Sequence, residues 1–227
     1  MPHTYLITGA SRGIGLELAR QLVARGDRVL ATARAPGKAT ALAALGKGVR
    51  ILPLDVTDPA SIEALGHALA TENIDVLVNN AGVKSLGRTL SELNAAEMRE
   101  VMMVNAIAPM LVAKALLAPL KAGSRKTIVQ ITSQLASIAN NTGGSTYAYR
   151  ASKAALNQFN RSLANELVAD GFTCVAVHPG WVSTDMGGSH APLTPKDSVE
   201  YLLTTFDRLT LADTGKFLNY DGTPLPW

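Results

Sequence analysis

Apolar residues recur along this chain in two alternating rhythms. Short runs rich in β-formers fall at 3–7, 28–32, 49–54, 74–78, 128–131 and 172–177, separated by longer stretches near 13–25, 59–71, 95–121 and 148–169. The short runs read as strands, and the stretches with apolar residues three and four apart read as helices. In the first stretch Ile14, Leu18 and Leu22 keep helical spacing and Gly26 marks the stop. The alternation predicts an α/β protein with a doubly wound parallel β-sheet and helices on both faces. Polar or glycine-rich clusters follow the strands: Asp55-Val56, Asn79-Asn80-Ala81-Gly82, Thr132-Ser133 and His178-Pro179-Gly180. All lie at predicted carboxyl ends of strands, where open α/β sheets bind their ligands.

The first strand runs into Thr8-Gly9-Ala10-Ser11-Arg12-Gly13-Ile14-Gly15 and then into a helix. Strand, glycine loop and helix form the context in which backbone amides at a helix N-terminus hold a pyrophosphate. The spacing is GxxxGxG, which departs from the commoner GxGxxG. The second strand ends in Ala33-Arg34, where NAD-binding folds carry an acidic residue. Ala33 brings no carboxylate to repel a 2′-phosphate, and the Arg34 guanidinium can grip one through two hydrogen bonds. Arg12 adds a second cation. The expected cofactor is NADP(H); the alternative is that both arginines are ordinary solvated side chains.

Tyr149 and Lys153 stand four apart in YAYRASKAALNQF, so both project from one helical face. A nearby ammonium favours a phenolate, which makes the pair able to give and take a proton at an oxygen atom. Tyr147, two residues from Tyr149, cannot share that face and reads as a wall of a substrate cleft.

Composition narrows the field. With 227 residues, 47% of them hydrophobic, the chain can bury one full core, and residues 1–227 read as a single domain. Its one cysteine, Cys174, falls in the apolar run FTCVAV and reads as a buried thiol. The net charge of +3 comes without Lys/Arg runs, which argues against nucleic acid as a partner. His3, His67, His178 and His190 show no metal-ligand spacing, so no metal is expected. No apolar run has the length of a membrane span. MPHTYLITG already reads as the first strand and not as a signal peptide, so a cytoplasmic location is expected.

TGASRGIG, NNAG, the Asn of MVNA, Ser133, YRASK and PGWVST occur in an order that resembles the short-chain dehydrogenase/reductase (SDR) family over essentially the whole chain. FLNYDGTPLPW and YAYRASKAALN are similar to its branch of insect and bacterial carbonyl reductases and C-factor proteins. The resemblance implies a single-domain Rossmann-like fold and an NADPH-dependent oxidoreductase that reduces a ketone or aldehyde to an alcohol. It implies that Tyr149 protonates the carbonyl oxygen, Lys153 lowers the Tyr149 pKa and holds the nicotinamide ribose, and Ser133 positions the same oxygen. Asn105 resembles the family residue that distorts its helix and holds a water relaying protons to the lysine. Ser133 precedes Tyr149 by sixteen residues, against about thirteen in the family, which makes Ser137 a competitor. Ser133 is preferred because it follows the strand IVQIT directly.

The same resemblance places the pyrophosphate on the backbone around Gly9, Arg12, Ile14 and Gly15, within the loop that also holds Ser11 and Gly13. Asp55 and Val56 would border the adenine, with Asn79, Ala81 and Gly82 along the adenosine side. Pro179, Gly180, Val182 and Thr184 would form the carboxamide pocket. The substrate cleft is expected from loops near 133–147 and 181–195, with Leu135, Tyr147, Trp181 and Met186 as its mostly apolar walls. DMGGSHAPLTPKDS is expected to close over the nicotinamide as a short lid hinged at Gly187 and Gly188. A small-molecule carbonyl or alcohol is the expected partner. Helices 95–121 and 148–169 resemble those that pair in family dimers and tetramers, while some carbonyl reductases are monomers, so homodimer, homotetramer and monomer stay open. Two other readings also stay open: a non-catalytic NADP(H)-binding sensor or C-factor-like signalling protein, and a subunit whose sheet is only a scaffold.

Overall fold

The computed structural model describes residues 2–227. Seven strands form one parallel sheet: β1 (Thr4–Ile7), β2 (Arg28–Ala33), β3 (Val49–Pro53), β4 (Val76–Asn79), β5 (Thr127–Ile131), β6 (Thr173–His178) and β7 (Phe217–Asn219). Their spatial order is β3-β2-β1-β4-β5-β6-β7. The chain winds outward from β1 to β3 and then returns to the other side of β1 at β4. Loops leaving β1 and β4 therefore diverge, and a crevice opens at the carboxyl edge of the sheet.

Strand alternation divides the core. Tyr5, Ile7, Val29, Ala31, Val76, Val78, Val129 and Val175 face α1 (Gly13–Ala24), α2 (Thr40–Ala43) and α8 (Pro195–Arg208). Leu6, Leu30, Leu77, Ile128 and Cys174 face α3 (Pro59–Ala68), α5 (Ala108–Ala115), α6 (Leu117–Ala122) and α7 (Tyr147–Leu167). Both faces are covered, which is why the strands read as near-continuous apolar runs. Helix starts follow local chemistry: the Asp58 side chain accepts from Ala60 N–H with Pro59 in the first turn, and Asn94 accepts from Ala96 and Glu97 at the head of α4 (Ala95–Met102).

Three sequence expectations need correction. The helix read as 95–121 is not continuous: α4 passes into a π-helical turn, Met103–Ile107, before α5, and Leu116 leaves helical geometry (φ −103°, ψ 9°) between α5 and α6. The π turn centres on Asn105, whose side chain is tied to a neighbouring loop. The polar segment read as lid alone ends in α8, capped by the Thr194 hydroxyl accepting from Asp197 N–H at 3.1 Å. The sheet also gains a seventh strand, β7, which at three residues is too short for periodicity to signal.

Candidate active site

The crevice is a cleft of about 510 Å³ bounded by the loops that follow β1, β2, β3, β4, β5 and β6. Its floor is set by Thr8 and Asn80. The Thr8 hydroxyl accepts from Asn80 N–H and Ala81 N–H, both at 3.0 Å, and the Asn80 amide donates to the carbonyls of Thr8 (2.9 Å) and Gly9 (3.1 Å). Glycine is required where these loops meet. Gly9 has φ +64°, and a Cβ there would lie 2.9 Å from Ala81 Cα. At Gly15 a Cβ would lie 2.5 Å from Asn80 Nδ2 and 2.6 Å from the Gly9 carbonyl, so only glycine lets α1 approach this closely. Arg12 caps α1 with extended backbone and no side-chain cap bond, so no side chain covers the first-turn amides. Those amides and the helix dipole suit an anion.

Ser11, Arg12, Gly13, Ile14 and Arg34 line the cleft, with Asp55, Val56, Ala81, Gly82, Pro179, Thr184 and Met186. Asp55 accepts from Thr57 N–H (2.9 Å) and hydroxyl (2.7 Å), which with Arg34 nearby holds its carboxyl below the usual range. Arg12 Nη1 meets Asp185 at 3.1 Å across the mouth, between two well-exposed side chains. Asn79 does not face the cleft. It is 2% exposed on the opposite side of its strand and donates to the Pro109 carbonyl at 3.2 Å, leaving Asn80 in the cleft wall. Gly15, Gly180 and Val182 are not in the wall either; Val182 is buried and forms a bridge with Leu193. Ser198, at 0% exposure on α8, donates to the Pro179 carbonyl at 2.6 Å and so ties that loop to the helix missed in the sequence.

The end of β5 and the first turns of α7 bring the proton-transfer candidates together. Ser133 is the second residue after β5, and its hydroxyl accepts from Leu135 N–H at 3.1 Å. The Tyr149 phenol is pushed above its ordinary value by burial, and hydrogen bonding with Ser133 opposes the rise. Lys153 is 4% exposed, and its Nζ donates to the Ile131 carbonyl at 2.8 Å. Burial pushes this ammonium down to about 8. The expected lowering of the Tyr149 pKa by Lys153 is therefore not what dominates here; desolvation governs both groups. Gly82 joins this cluster to the β4 loop, since a Cβ there would lie 3.3 Å from Asn105 Oδ1 and 3.7 Å from Lys153 Nζ.

Asn105, fully buried in the π turn, accepts from Val83 N–H (2.8 Å) and donates to the Val83 carbonyl (2.8 Å) and the Ser152 hydroxyl (3.0 Å). Every polar atom of its side chain is used, so the solvent-facing alternative for this mid-helix Asn does not hold. Ser137 is also occupied elsewhere: its hydroxyl donates to the Trp227 carbonyl (3.3 Å) and accepts from Asn140 N–H (3.1 Å). Of the two serines, Ser133 is the one beside Tyr149.

The four expected substrate walls separate. Met186 lies in the cleft. Leu135 and Tyr147 instead line a second hollow of about 300 Å³ with Ala151 and Ala154, on the far side of α7 from Tyr149. Trp181 is half-exposed and donates from Nε1 to the Gly187 carbonyl at 2.8 Å, and Gly188 N–H donates to the Thr184 carbonyl at 2.8 Å, so both expected hinge glycines are held by hydrogen bonds. His178 is buried with its Nδ1 unpartnered and its pKa pushed down to about 4, so it is neutral at pH 7. Burial pushes the Cys174 thiol up to about 12, which makes it inert as a nucleophile. Thr8, Asn80 and Ser198 are the residues that sequence reasoning passed over; Thr8 and Asn80 were visible as polar neighbours of the two glycine motifs. No helix among the described residues is long and apolar enough to cross a membrane.

The C-signal of Myxococcus xanthus is 42% identical over 166 residues, 73% of this chain and 100% of that protein. Among solved structures, the carbonyl reductase Sniffer of D. melanogaster superposes with a TM-score of 0.95 at 34% identity, covering 100% of both chains. The NADPH-bound carbonyl reductase from chicken fatty liver gives a TM-score of 0.92 at 36% identity, covering 100% of this chain and 99% of its own. Residues 3–192 match the short chain dehydrogenase family, and the chain belongs to that family.

Proposed function

We propose that this protein is an NADPH-dependent reductase that converts a ketone or aldehyde into an alcohol, with Tyr149 as proton donor. The observation that carries the reading is the convergence of Ser133, Tyr149 and Lys153 beside a cleft whose other end is a bare helix N-terminus with Arg12 and Arg34. The cleft residues fit NADP(H). The amides of Gly13 and Ile14 suit its pyrophosphate, Arg34 its 2′-phosphate, Asp55 and Val56 its adenine, and Lys153 its nicotinamide ribose. The solved relative from chicken fatty liver carries NADPH, which supports the same choice. The cofactor would supply the hydride for the carbonyl carbon.

The chain's own residues handle the oxygen. Ser133 and Tyr149 donate hydrogen bonds to it, and these strengthen as negative charge develops there. Tyr149, kept protonated by burial, then delivers its proton to that oxygen. Lys153 is an ammonium for most of the molecules at pH 7. It sits one helical turn behind the phenol to steady the charge that remains. Met186 and Val104 give the cleft apolar walls, which favours uncharged aliphatic or aromatic carbonyl compounds.

A second reading has one specific support, the 42% identity to C-signal. A binding-only sensor would hold NADPH without consuming it. Monitoring NADPH and NADH consumption across a panel of aldehydes, ketones and diketones separates the two. Turnover that prefers NADPH supports the reductase; tight NADPH binding with no turnover across the panel favours the sensor.

A further inference from the structure

The layer beneath Lys153 concentrates buried amides. Asn79 at the end of β4 and Gln130 in β5 are register partners. Both lie on the face covered by α5 and α7, because Leu77 and Ile128, two residues earlier on the same strands, belong to that core. Asn157 is one turn along α7 from Lys153. Asn160 follows three residues later and donates to the Cys174 carbonyl on β6 at 3.4 Å. Exposures are 2% for Asn79, 0% for Gln130, 3% for Asn157 and 0% for Asn160. Gln130 and Asn157 have no protein partner for either amide atom, and the Oδ1 atoms of Asn79 and Asn160 have none.

A buried amide atom without a partner is strongly unfavourable, and folded proteins rarely tolerate several together. These amides are not hydrogen-bonded to one another. Water is the ligand that serves unpaired donors and unpaired acceptors alike. We propose that Asn79, Gln130, Asn157 and Asn160 enclose an internal water cluster that pins α7 to β4, β5 and β6 one turn below Lys153. The four amides are then positioning residues. Gln130 directly precedes Ile131, whose carbonyl receives the lysine, and Asn157 fixes the next turn of the helix that carries both Lys153 and Tyr149. The water cluster stands independently of the reductase reading, whereas the kinetic consequence rests on it.

Crystal structures at atomic resolution test the proposal without any turnover. In the wild type, ordered waters are expected within hydrogen-bond reach of the Gln130 and Asn157 amides; amides paired to each other with no water between them overturn it. Gln130→Met and Asn157→Leu remove the polar atoms at near-constant volume. In these variants the waters are expected to disappear and the 2.8 Å contact between Lys153 Nζ and the Ile131 carbonyl to lengthen beyond hydrogen-bond reach. A contact retained at its wild-type length contradicts the positioning role. With a carbonyl substrate in hand, kcat is expected to fall by about tenfold or more. Asn157→Ser, which keeps a hydroxyl in the layer, should recover most of that loss. Unchanged kcat in both apolar variants would also overturn the role.

Discussion

Lys153 Nζ lies 2.8 Å from the carbonyl oxygen of Ile131, the residue that ends β5 two positions before Ser133. One strand end therefore fixes the serine directly and the lysine through its backbone. Because the lysine is carried by α7, the same contact sets where Tyr149 sits. The lysine, and through α7 the tyrosine, are tied to the sheet, and the serine follows the strand end by two residues.

This placement has a cost in stability. Burial lowers the Lys153 ammonium from its ordinary 10.5 to about 8. Between those values the unfolded chain binds a proton that the folded chain has lost, so this group's contribution to stability rises as pH climbs from about 8 to 10.5. Below pH 8 the cost is fully present, on the order of 3 kcal/mol. Lys153→Met should therefore abolish turnover yet raise the urea midpoint at pH 7, and it should lack the extra alkaline gain. Urea melts at pH 7, 8 and 9 on both proteins check this; a variant less stable than wild type at pH 7 would contradict it.

Asn105→Ala should leave the Val83 N–H and carbonyl without their side-chain partner. A loss of about 2–3 kcal/mol is expected, together with relaxation of the π turn toward α-helix. Thermal melts give the first quantity. Asn105→Asp, which keeps one acceptor for Val83 N–H, should lose less, and equal losses in the two variants would count against this account.

Gly15→Ala brings a methyl group into the Asn80 amide and the Gly9 carbonyl. The glycine loop must shift, and NADPH affinity should fall by about tenfold or more, since misplaced amides forfeit charge-assisted hydrogen bonds. Fluorescence titration with NADPH reads this. Gly143→Ala, where a Cβ meets nothing within 4 Å, serves as the control and should bind normally.

Arg34→Ala should weaken NADPH by about 10- to 100-fold, the worth of a hydrogen-bonded charge pair, and leave NADH nearly unchanged. Ratios of kcat/KM for the two cofactors provide the measurement. An equal effect on both would mean that Arg34 does not touch the 2′-phosphate.

Much of this was legible in the residues. Six strands were readable because a sheet covered on both faces needs apolar residues at nearly every strand position, as in Val76-Leu77-Val78. Tyr149 and Lys153 were readable because helical spacing alone puts them together. The rest depended on information that periodicity lacks. Which of Asn79 and Asn80 faces the cleft turns on the parity of β4, and so on its register with β1 and β5. Leu135 lies in the turn directly after β5 and Tyr147 opens α7 two residues before Tyr149; which face of α7 meets the cleft depends on how that helix packs on the sheet, which periodicity does not carry. α8 did announce itself in Thr194, Pro195 and Asp197, followed by Val199, Leu202, Leu203 and Phe206 at helical spacing, but the polar run before it masked the start.

Tyr149→Phe tests the central claim most directly. NADPH oxidation would be followed with the best carbonyl substrate found for the wild type, beside a titration of NADPH binding to both proteins. The account predicts turnover reduced by about a hundredfold or more with NADPH affinity unchanged, because the phenylalanine keeps the ring and removes only the proton donor. Turnover close to wild type in Tyr149→Phe would contradict it and move the proton donor elsewhere in the cleft.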